Sequence, residues 1–520
     1  MHRTLVLHRG LLLALAFLPA LAVPASAAVV PPGFSDRLVA SGLPVLSNFD
    51  FLPDGRVLTT DWLGARIILI DPTGALPPDT VGTVPDVQFG GGEAGLLGIA
   101  VDPRWPAKPY IYVHYTSSMS PNIHVTRYAL TGDLDGTLGT GLTLDLASRR
   151  GILADLPDDF PLHNGGTLLF RDDGTLFVSV GDDNVPCSSQ DVHETRGKIL
   201  RLAVTGVADG PGGAPDYQKI TPPDNPFATN PDPRTRLVYE YGLRNPWTYD
   251  YDASTGTLAI ADVGNSSYEE IDVTTDAARN FGWPLYEGPW RFDYPLCTYP
   301  DTLTLTAPSF WYPHPSDGSP SAVIMGGIAR PMPGALVTFP AEYMGNVFYI
   351  DLYEGVLRRL ECTSGNCTPA PPVPGQPTPD GWATGFDYPT RMRFGPDGAL
   401  WYAVIGELRR IAADAPVGVG GALVSYARPS LKAFPTPAVN QVHLGYRLPT
   451  AGPVTLFVTD ARGRRVRTLV QDNAAEAGEH VASWDGLDDR GVRVPAGVYF
   501  GALRTARHTE TQRLVMLGGR

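Results

Sequence analysis

Charge is scarce in this chain. Asp, Glu, Lys and Arg make up 18% of its 520 residues, and the balance is acidic, with a formal net charge of −14. An acidic chain of this kind is a poor ligand for nucleic acid or an anionic membrane. Past the N-terminus, no stretch reaches the roughly 18 uninterrupted apolar residues needed to cross a bilayer. Helical apolar periodicity is almost absent between Phe34 and Ala412. There are only four cysteines, with no Cys-x-x-Cys pair and no partnered His spacing, so a zinc site is not indicated. The glycine-rich segment 90–98, GGGEAGLLG, lacks the Lys-Ser/Thr of a phosphate-binding loop and opens no helix.

What is present reads as an exported protein of short strands. Residues 1–27 have the pattern of a signal peptide. Arg3 and Arg9 flank the start, 11–23 is mostly apolar, and Ala25-Ser26-Ala27 is a small-residue cleavage site. The mature chain is expected to be soluble and secreted, periplasmic or on a bacterial cell surface, where disulfides can form. Cys362 and Cys367 are spaced to close a small loop, and Cys187 and Cys297 would then form the other pair. Three connectivities remain open from sequence. The 57 glycines and 51 prolines show no collagen-like period and suit many strands joined by tight turns.

From Phe34 to Ala412 a strand–turn–strand–strand unit recurs six times, with Asp-Gly turns at Asp54-Gly55, Asp173-Gly174 and Asp397-Gly398. Alternating apolar positions need a second sheet to cover them, and radial stacking of blades supplies one. The reading is all-β: a six-bladed β-propeller over 28–413, then a small-residue linker at 414–425. Short, regularly spaced strands over 426–520 suggest a small immunoglobulin-like β-sandwich.

Four stretches could carry chemistry. The first is PLHNGG at 161–166, followed by a hairpin that ends in Gly181-Asp182. His163 is a candidate general base, and Asp182 a carboxylate able to fix its tautomer. Glycines beside His163 read as room for a flat ligand. The second is Arg244-Asn245-Pro246-Trp247, a cationic fork next to an amide; its bland alternative is a capped turn with a surface ion pair. The third is ADVGNSSYEEI at 261–271. Here Gly264 and Asn265 could offer carbonyls to a hard cation, with Asp262, Glu269 and Glu270 as carboxylates nearby. Carboxylates in turns are more often simply solvated. The fourth is the glycine-rich 90–98 segment, read either as backbone lying flat on a planar ligand or as a flexible turn.

Together these stretches resemble the soluble quinoprotein sugar dehydrogenases, the glucose/sorbosone dehydrogenase family. The resemblance rests on GEAGLLGIA at 92–100, HNGG at 163–166, VGD at 180–182, GKILR at 197–201, GLRNPW at 242–247, DVGN at 262–265 with EEI at 269–271, and NFGWP at 280–284. It implies a propeller that binds pyrroloquinoline quinone (PQQ) and calcium. It also implies oxidation of an aldose at its anomeric carbon, by hydride transfer, with electrons passing to an external acceptor. His163 is matched to the base, Asp182 to its support, and Arg244 and Asn245 to quinone contacts. Gly264 and Asn265 are matched to carbonyl ligands of the cofactor calcium, Glu270 and the Phe281 carbonyl to a second calcium, and Glu93 to a polar cofactor contact. The chain departs from the family in three places. Tyr353 stands where tight PQQ binders carry Lys, the arginines of 388–393 are displaced, and Leu162 precedes the base where Asp is common. Relatives of the hedgehog-interacting type are binding proteins, which supplies the alternative of a non-catalytic cell-surface propeller. Residues 426–520 resemble FlgD-type immunoglobulin-like and sorting domains, implying contact with a cell surface or secretion machinery.

Overall fold

A computed structural model describes residues 27–137, 141–292, 294, 297–299, 303–332, 335 and 337–414, and within the C-terminal part 430–434, 438, 441–448, 452–460, 462–475, 478–505 and 509–517. The expected signal peptide, except Ala27, and the expected linker, except Asp414, lie outside the described residues. The chain divides into two compact units, 1–418 and 419–520.

In the first unit, six antiparallel sheets follow one another in sequence order. The first blade runs from Leu46–Phe51 at its inner edge through Val57–Asp61 and Arg66–Ile70 to Asp79–Thr83. The second begins at Leu96–Val101, the third at Leu168–Phe170, the fourth at Thr248–Asp252 and the fifth at Val323–Ile328. The sixth takes three strands from the end of the unit, Arg391–Phe394, Leu400–Val404 and Glu407–Ala413. Its fourth is Phe34–Ser41 from the beginning, paired antiparallel with Glu407–Ala413. That last pairing closes the ring and removes the exposed edge an open array of strands would leave. The six-bladed propeller read from the recurring hairpins is the observed architecture.

The blades are held by apolar faces packed on one another. Strands such as Val57–Asp61, Leu96–Val101, Leu176–Val180 and Leu400–Val404 are buried at every position, because a blade's middle strands are covered on both sides. Phe34, on the closing strand, meets the rings of Phe339 (4.8 Å), Trp382 (5.0 Å) and Tyr343 (5.4 Å) edge-on, an arrangement aromatic quadrupoles favour. Cys187 is bonded to Cys297 and Cys362 to Cys367, with no free cysteine among the described residues. This selects one of the three connectivities left open.

The second unit contains two sheets. Ser430–Phe434, Val442–Leu448 and Gly478–Trp484 form one; Arg465–Ala475, Gly452–Asp460, Gly497–Thr505 and Thr509–Met516 form the other. Leu444, Trp484, Leu456, Val458, Leu503 and Leu514 meet in a shared core, as in a β-sandwich. No helix among the described residues is long and apolar enough to cross a membrane.

One buried group makes a clear stability prediction. His114, on Tyr110–Thr116, is fully enclosed and neither ring nitrogen has a partner. Burial pushes its pKa down to about 3. The unfolded chain therefore takes up a proton near pH 6.5 that the folded chain refuses, and stability falls as pH drops below 6.5. Relative to H114L, the wild type should lose about 2 kcal/mol between pH 7 and pH 5. Parallel urea melts of both proteins at the two pH values measure this; equal pH dependence would refute it.

Candidate active site

His163 lies in the connection that leads into the third blade and adopts a left-handed backbone (φ 59°). Few non-glycine residues hold this conformation without surrounding support. The support is visible. The His163 carbonyl lies against Gly181, where a Cβ would fall 1.9 Å from it, so Gly181 is required by close approach. His163 Nδ1 is 2.6 Å from Asp182 Oδ1, and its Nε2 is 2.9 Å from Arg244 Nη2. A guanidinium only donates. Nε2 must therefore accept, and the ring proton sits on Nδ1, donated to Asp182. That is the tautomer a general base needs.

Asp182 is completely buried. Besides His163, its Oδ1 accepts the Asn184 N–H (2.9 Å), and its Oδ2 accepts the Trp283 indole N–H (2.8 Å). Its own N–H donates to the Arg244 carbonyl at 2.7 Å. Arg244 is oriented in turn: Nη1 donates to the Val263 carbonyl (2.8 Å), and the guanidinium lies 5.6 Å from the centre of the Trp283 ring.

Asn245 and Glu93 knit the other side. Glu93 accepts the Asn164 N–H at 3.0 Å and the Asn245 side-chain amide at 3.2 and 3.3 Å. Asn245 Oδ1 accepts the Gly165 N–H at 3.1 Å. The second-blade entry loop, the His163 segment and the fourth-blade entry are thus joined.

The glycines beside His163 require a correction. They were expected to make room for a flat ligand. A Cβ on Gly165 would lie 2.7 Å from the Ser179 carbonyl, and one on Gly166 2.8 Å from the Leu97 Cβ. These glycines let neighbouring strands approach; they do not clear space for a ligand.

The acidic stretch is also redistributed. Asp262 accepts the backbone N–H groups of Arg244 (2.8 Å) and Asn245 (2.6 Å). Burial pushes its carboxyl up to about 7, with nearby Asp182 adding to the shift and those two N–H groups and Arg244 opposing it. Glu269 accepts from Gly264 N–H (3.2 Å) and Val323 N–H (3.0 Å) and lies 2.7 Å from His314 Nε2. Both are committed to shaping the loops. Glu270 accepts the Gly288 N–H, and burial, with Asp262 next in effect, raises its pKa well above the usual carboxylate range. Phe281 is buried, with its N–H given to the Tyr241 carbonyl at 3.0 Å. Among the described residues no three His, Cys, Asp or Glu side chains form a group that could hold a metal. The calcium positions expected at Gly264, Asn265 and Phe281 depend on backbone carbonyls, joined by the Glu270 side chain.

Two functional residues escaped the sequence reading. Trp283 holds Asp182 from the far side. Glu287 is buried, and its Oε1 accepts the consecutive N–H groups of Asn265 (2.9 Å), Ser266 (2.7 Å), Ser267 (2.8 Å) and Tyr268 (3.2 Å). This nest around a carboxylate fixes the loop whose carbonyls were singled out for calcium. The only sequence signal for Glu287 was its place shortly after NFGWP.

Tyr353, expected to stand where tight PQQ binders carry Lys, lies beside Tyr388, the first residue of the 388–393 segment. Tyr353 and Tyr388 are each about half exposed, and their rings meet edge-on at 6.0 Å. Tyr353 feels the charges of Glu93 and Glu269, which places it near the site. Arg391 is buried, and Arg393 is paired with Asp50 at 2.8 Å.

The sequence model of the glucose/sorbosone dehydrogenase family matches residues 44–325, more than half of the chain. The chain belongs to the glucose/sorbosone dehydrogenase family. Residues 438–504 match the FlgD Ig-like domain. Similar proteins include the aldose sugar dehydrogenase YliI of Escherichia coli, 28% identical over 41% of this chain and 51% of that protein. The HIPL2 protein of Arabidopsis thaliana is 32% identical over 40% of this chain and 31% of its own length. Human hedgehog-interacting protein is 28% identical over 30% of this chain and 22% of its own length. The chain thus aligns with about half or less of the length of each of these three relatives. Among solved structures, an oxidoreductase (glucose dehydrogenase) of Thermus thermophilus superposes with a TM-score of 0.54 at 25% identity, over 73% of this chain and 99% of that one. The PQQ-bound aldose sugar dehydrogenase of Streptomyces coelicolor shares the fold, with a TM-score of 0.53 at 23% identity over 74% of this chain and 99% of that one. For this family member, E287A should release the Asn265–Tyr268 amides to solvent. Hydrogen exchange at those four amides should accelerate by orders of magnitude while blade-strand amides stay protected; unchanged exchange would refute the anchoring role of Glu287.

Proposed function

We propose that this chain is an exported sugar dehydrogenase. It would oxidise the anomeric carbon of an aldose to the lactone, using PQQ beside calcium, with an external acceptor collecting the two electrons. The observation that carries this reading is His163: Nδ1 is committed to a fully buried carboxylate, which leaves Nε2 as the acceptor nitrogen, bonded in this structure to Arg244.

At the reacting end of the cofactor Arg244 would hold the quinone side, and the Gly264 and Asn265 carbonyls the calcium. The Asn245 side chain is buried and bonded to Glu93 and Gly165, and would support that end by fixing the loops around it. PQQ, when bound, supplies the electrophilic carbon that accepts the hydride. His163 Nε2 takes the proton of the anomeric hydroxyl, for which the sugar must displace the Arg244 contact seen on Nε2. Asp182 keeps the proton on Nδ1 and stabilises the imidazolium that forms. Arg244, released from the ring, is positioned to stabilise negative charge on an adjacent oxygen. The two disulfides support an oxidising compartment, and the FlgD-like unit would serve surface or secretion contacts.

The carboxylate end fits less well. PQQ carries three carboxylates, and Tyr353 and Tyr388 offer them no charge. A missing charge-assisted contact weakens binding by about 1.5–3 kcal/mol. This observation favours a second reading, a non-catalytic binding propeller like the hedgehog-interacting relatives. Titration of the purified chain with PQQ and Ca²⁺, followed by dye reduction with a panel of aldoses, separates the two. Dehydrogenase activity in the reconstituted protein is the expected result; no bound quinone and no turnover would leave the binding reading. H163A should abolish turnover while retaining PQQ, and D182N should lower kcat by about 10²- to 10⁴-fold by favouring the wrong tautomer. Y353K should tighten PQQ binding about tenfold or more, read by fluorescence titration.

A further inference from the structure

Arg391 begins the innermost strand of the sixth blade, Arg391–Phe394. It is 1% exposed, and none of its three guanidinium nitrogens has a hydrogen-bond partner among the described residues. A buried guanidinium left this way is costly, since it surrenders its hydration with nothing in return.

Its surroundings locate it. The groups that act on it are, in order, Arg393, Asp250, Tyr249 and Asp50. Asp50 belongs to the inner strand of the first blade and Asp250 to that of the fourth. In a ring of six these blades face each other. A sixth-blade side chain near both therefore projects toward the ring axis. Arg393, two residues on and so on the same face of the strand, reaches the same region.

Both carboxylates are already used. Asp250 Oδ2 accepts from Arg330 Nη1 (2.6 Å) and from the Ile328 N–H (2.9 Å). Asp50 accepts from Arg393 Nη1 (2.8 Å) through Oδ1 and from the Val101 N–H (2.8 Å) through Oδ2. The Tyr249 hydroxyl donates to the Thr167 carbonyl at 3.1 Å. Asp50 and Asp250 thus each have an arginine of their own, and Arg391 is left without one. Burial, and Arg393 next to it, push its pKa down to about 10, which leaves it charged at neutral pH.

We propose that a small monovalent anion of halide size binds on the propeller axis against Arg391. Water alone would satisfy the N–H groups and leave one net positive charge enclosed; an anion satisfies both. The residual charge is a single unit, and Asp50 and Asp250 nearby disfavour anything larger or doubly charged. The Trp247 indole, three residues after Arg244, donates at 3.4 Å to the carbonyl of Thr390, next to Arg391, and so ties this strand to the entry of the fourth blade. The anion would be a built-in part of the interior of the ring, whichever function the candidate site performs.

Two measurements on the full chain test this. Crystals grown in sodium bromide, with data collected at the bromine edge, should show an anomalous peak within hydrogen-bonding reach of the Arg391 guanidinium. Thermal unfolding at equal ionic strength should have a higher midpoint in chloride than in gluconate. R391Q should lose both the peak and the salt-specific difference. Should R391Q fail to fold, the wild-type measurements decide alone. Density fitted by water without anomalous signal, together with coincident melting curves in the two salts, would overturn the proposal.

Discussion

The candidate site depends on one buried carboxylate. Asp182 stands at the end of the second strand of the third blade, excluded from solvent. Its two oxygens receive the His163 ring, the Asn184 N–H and the Trp283 indole. A carboxylate is costly to bury and is stable there only when fully hydrogen-bonded. Because Asp182 meets that demand with its own turn and with groups from two other segments, its satisfaction fixes all three. The strained backbone at His163, the tautomer of its ring and the place of Trp283 follow from one set of hydrogen bonds. Asp262 does the same for the backbone of Arg244 and Asn245, one blade further on.

A ring of blades is suited to this. Each connection between blades contributes one or two side chains, and the stacked sheets hold those connections at fixed spacing. The site therefore draws Glu93, His163, Asp182, Arg244 and Asn245 from entry loops and strand ends of the second, third and fourth blades. No single element carries the chemistry. The fifth and sixth blades contribute differently here: Tyr353 and Tyr388 offer aromatic surface, while Arg391 and Arg393 face the interior of the ring.

Much of this was legible beforehand. The Asp-Gly turns and alternating apolar strands revealed six blades because a hairpin's geometry is set locally by its turn and its period of two. His163 and Asp182 could be paired because they lie at the two ends of one hairpin, a local relation. Glu287 and Trp283 could not. Their roles are hydrogen bonds to segments that lie tens to a hundred residues away in sequence, and nothing in the residues around them marks the partner. The glycines at 165 and 166 were assigned to a ligand for the same reason. The strand that demands the small size of Gly166, at Leu97, comes from the second blade, while Ser179 against Gly165 lies on the next strand of the same hairpin.

The sequence alone determined the class of architecture, and, as expectations, the export signature and the candidate proton-transfer groups, since these rest on composition, short-range periodicity and side-chain chemistry. Only the tertiary structure decided what those groups face. It closed the ring with Phe34–Ser41 and chose the Cys187–Cys297 and Cys362–Cys367 pairing. It also turned Asp262, Glu269 and Glu287 from prospective ligands or anonymous acids into acceptors for backbone N–H groups. The physical reason is that hydrogen bonding and charge pairing are satisfied in space. A carboxylate carries the same formal chemistry wherever it falls in a sequence, and the donors that fold around it determine whether it binds, orients or reacts.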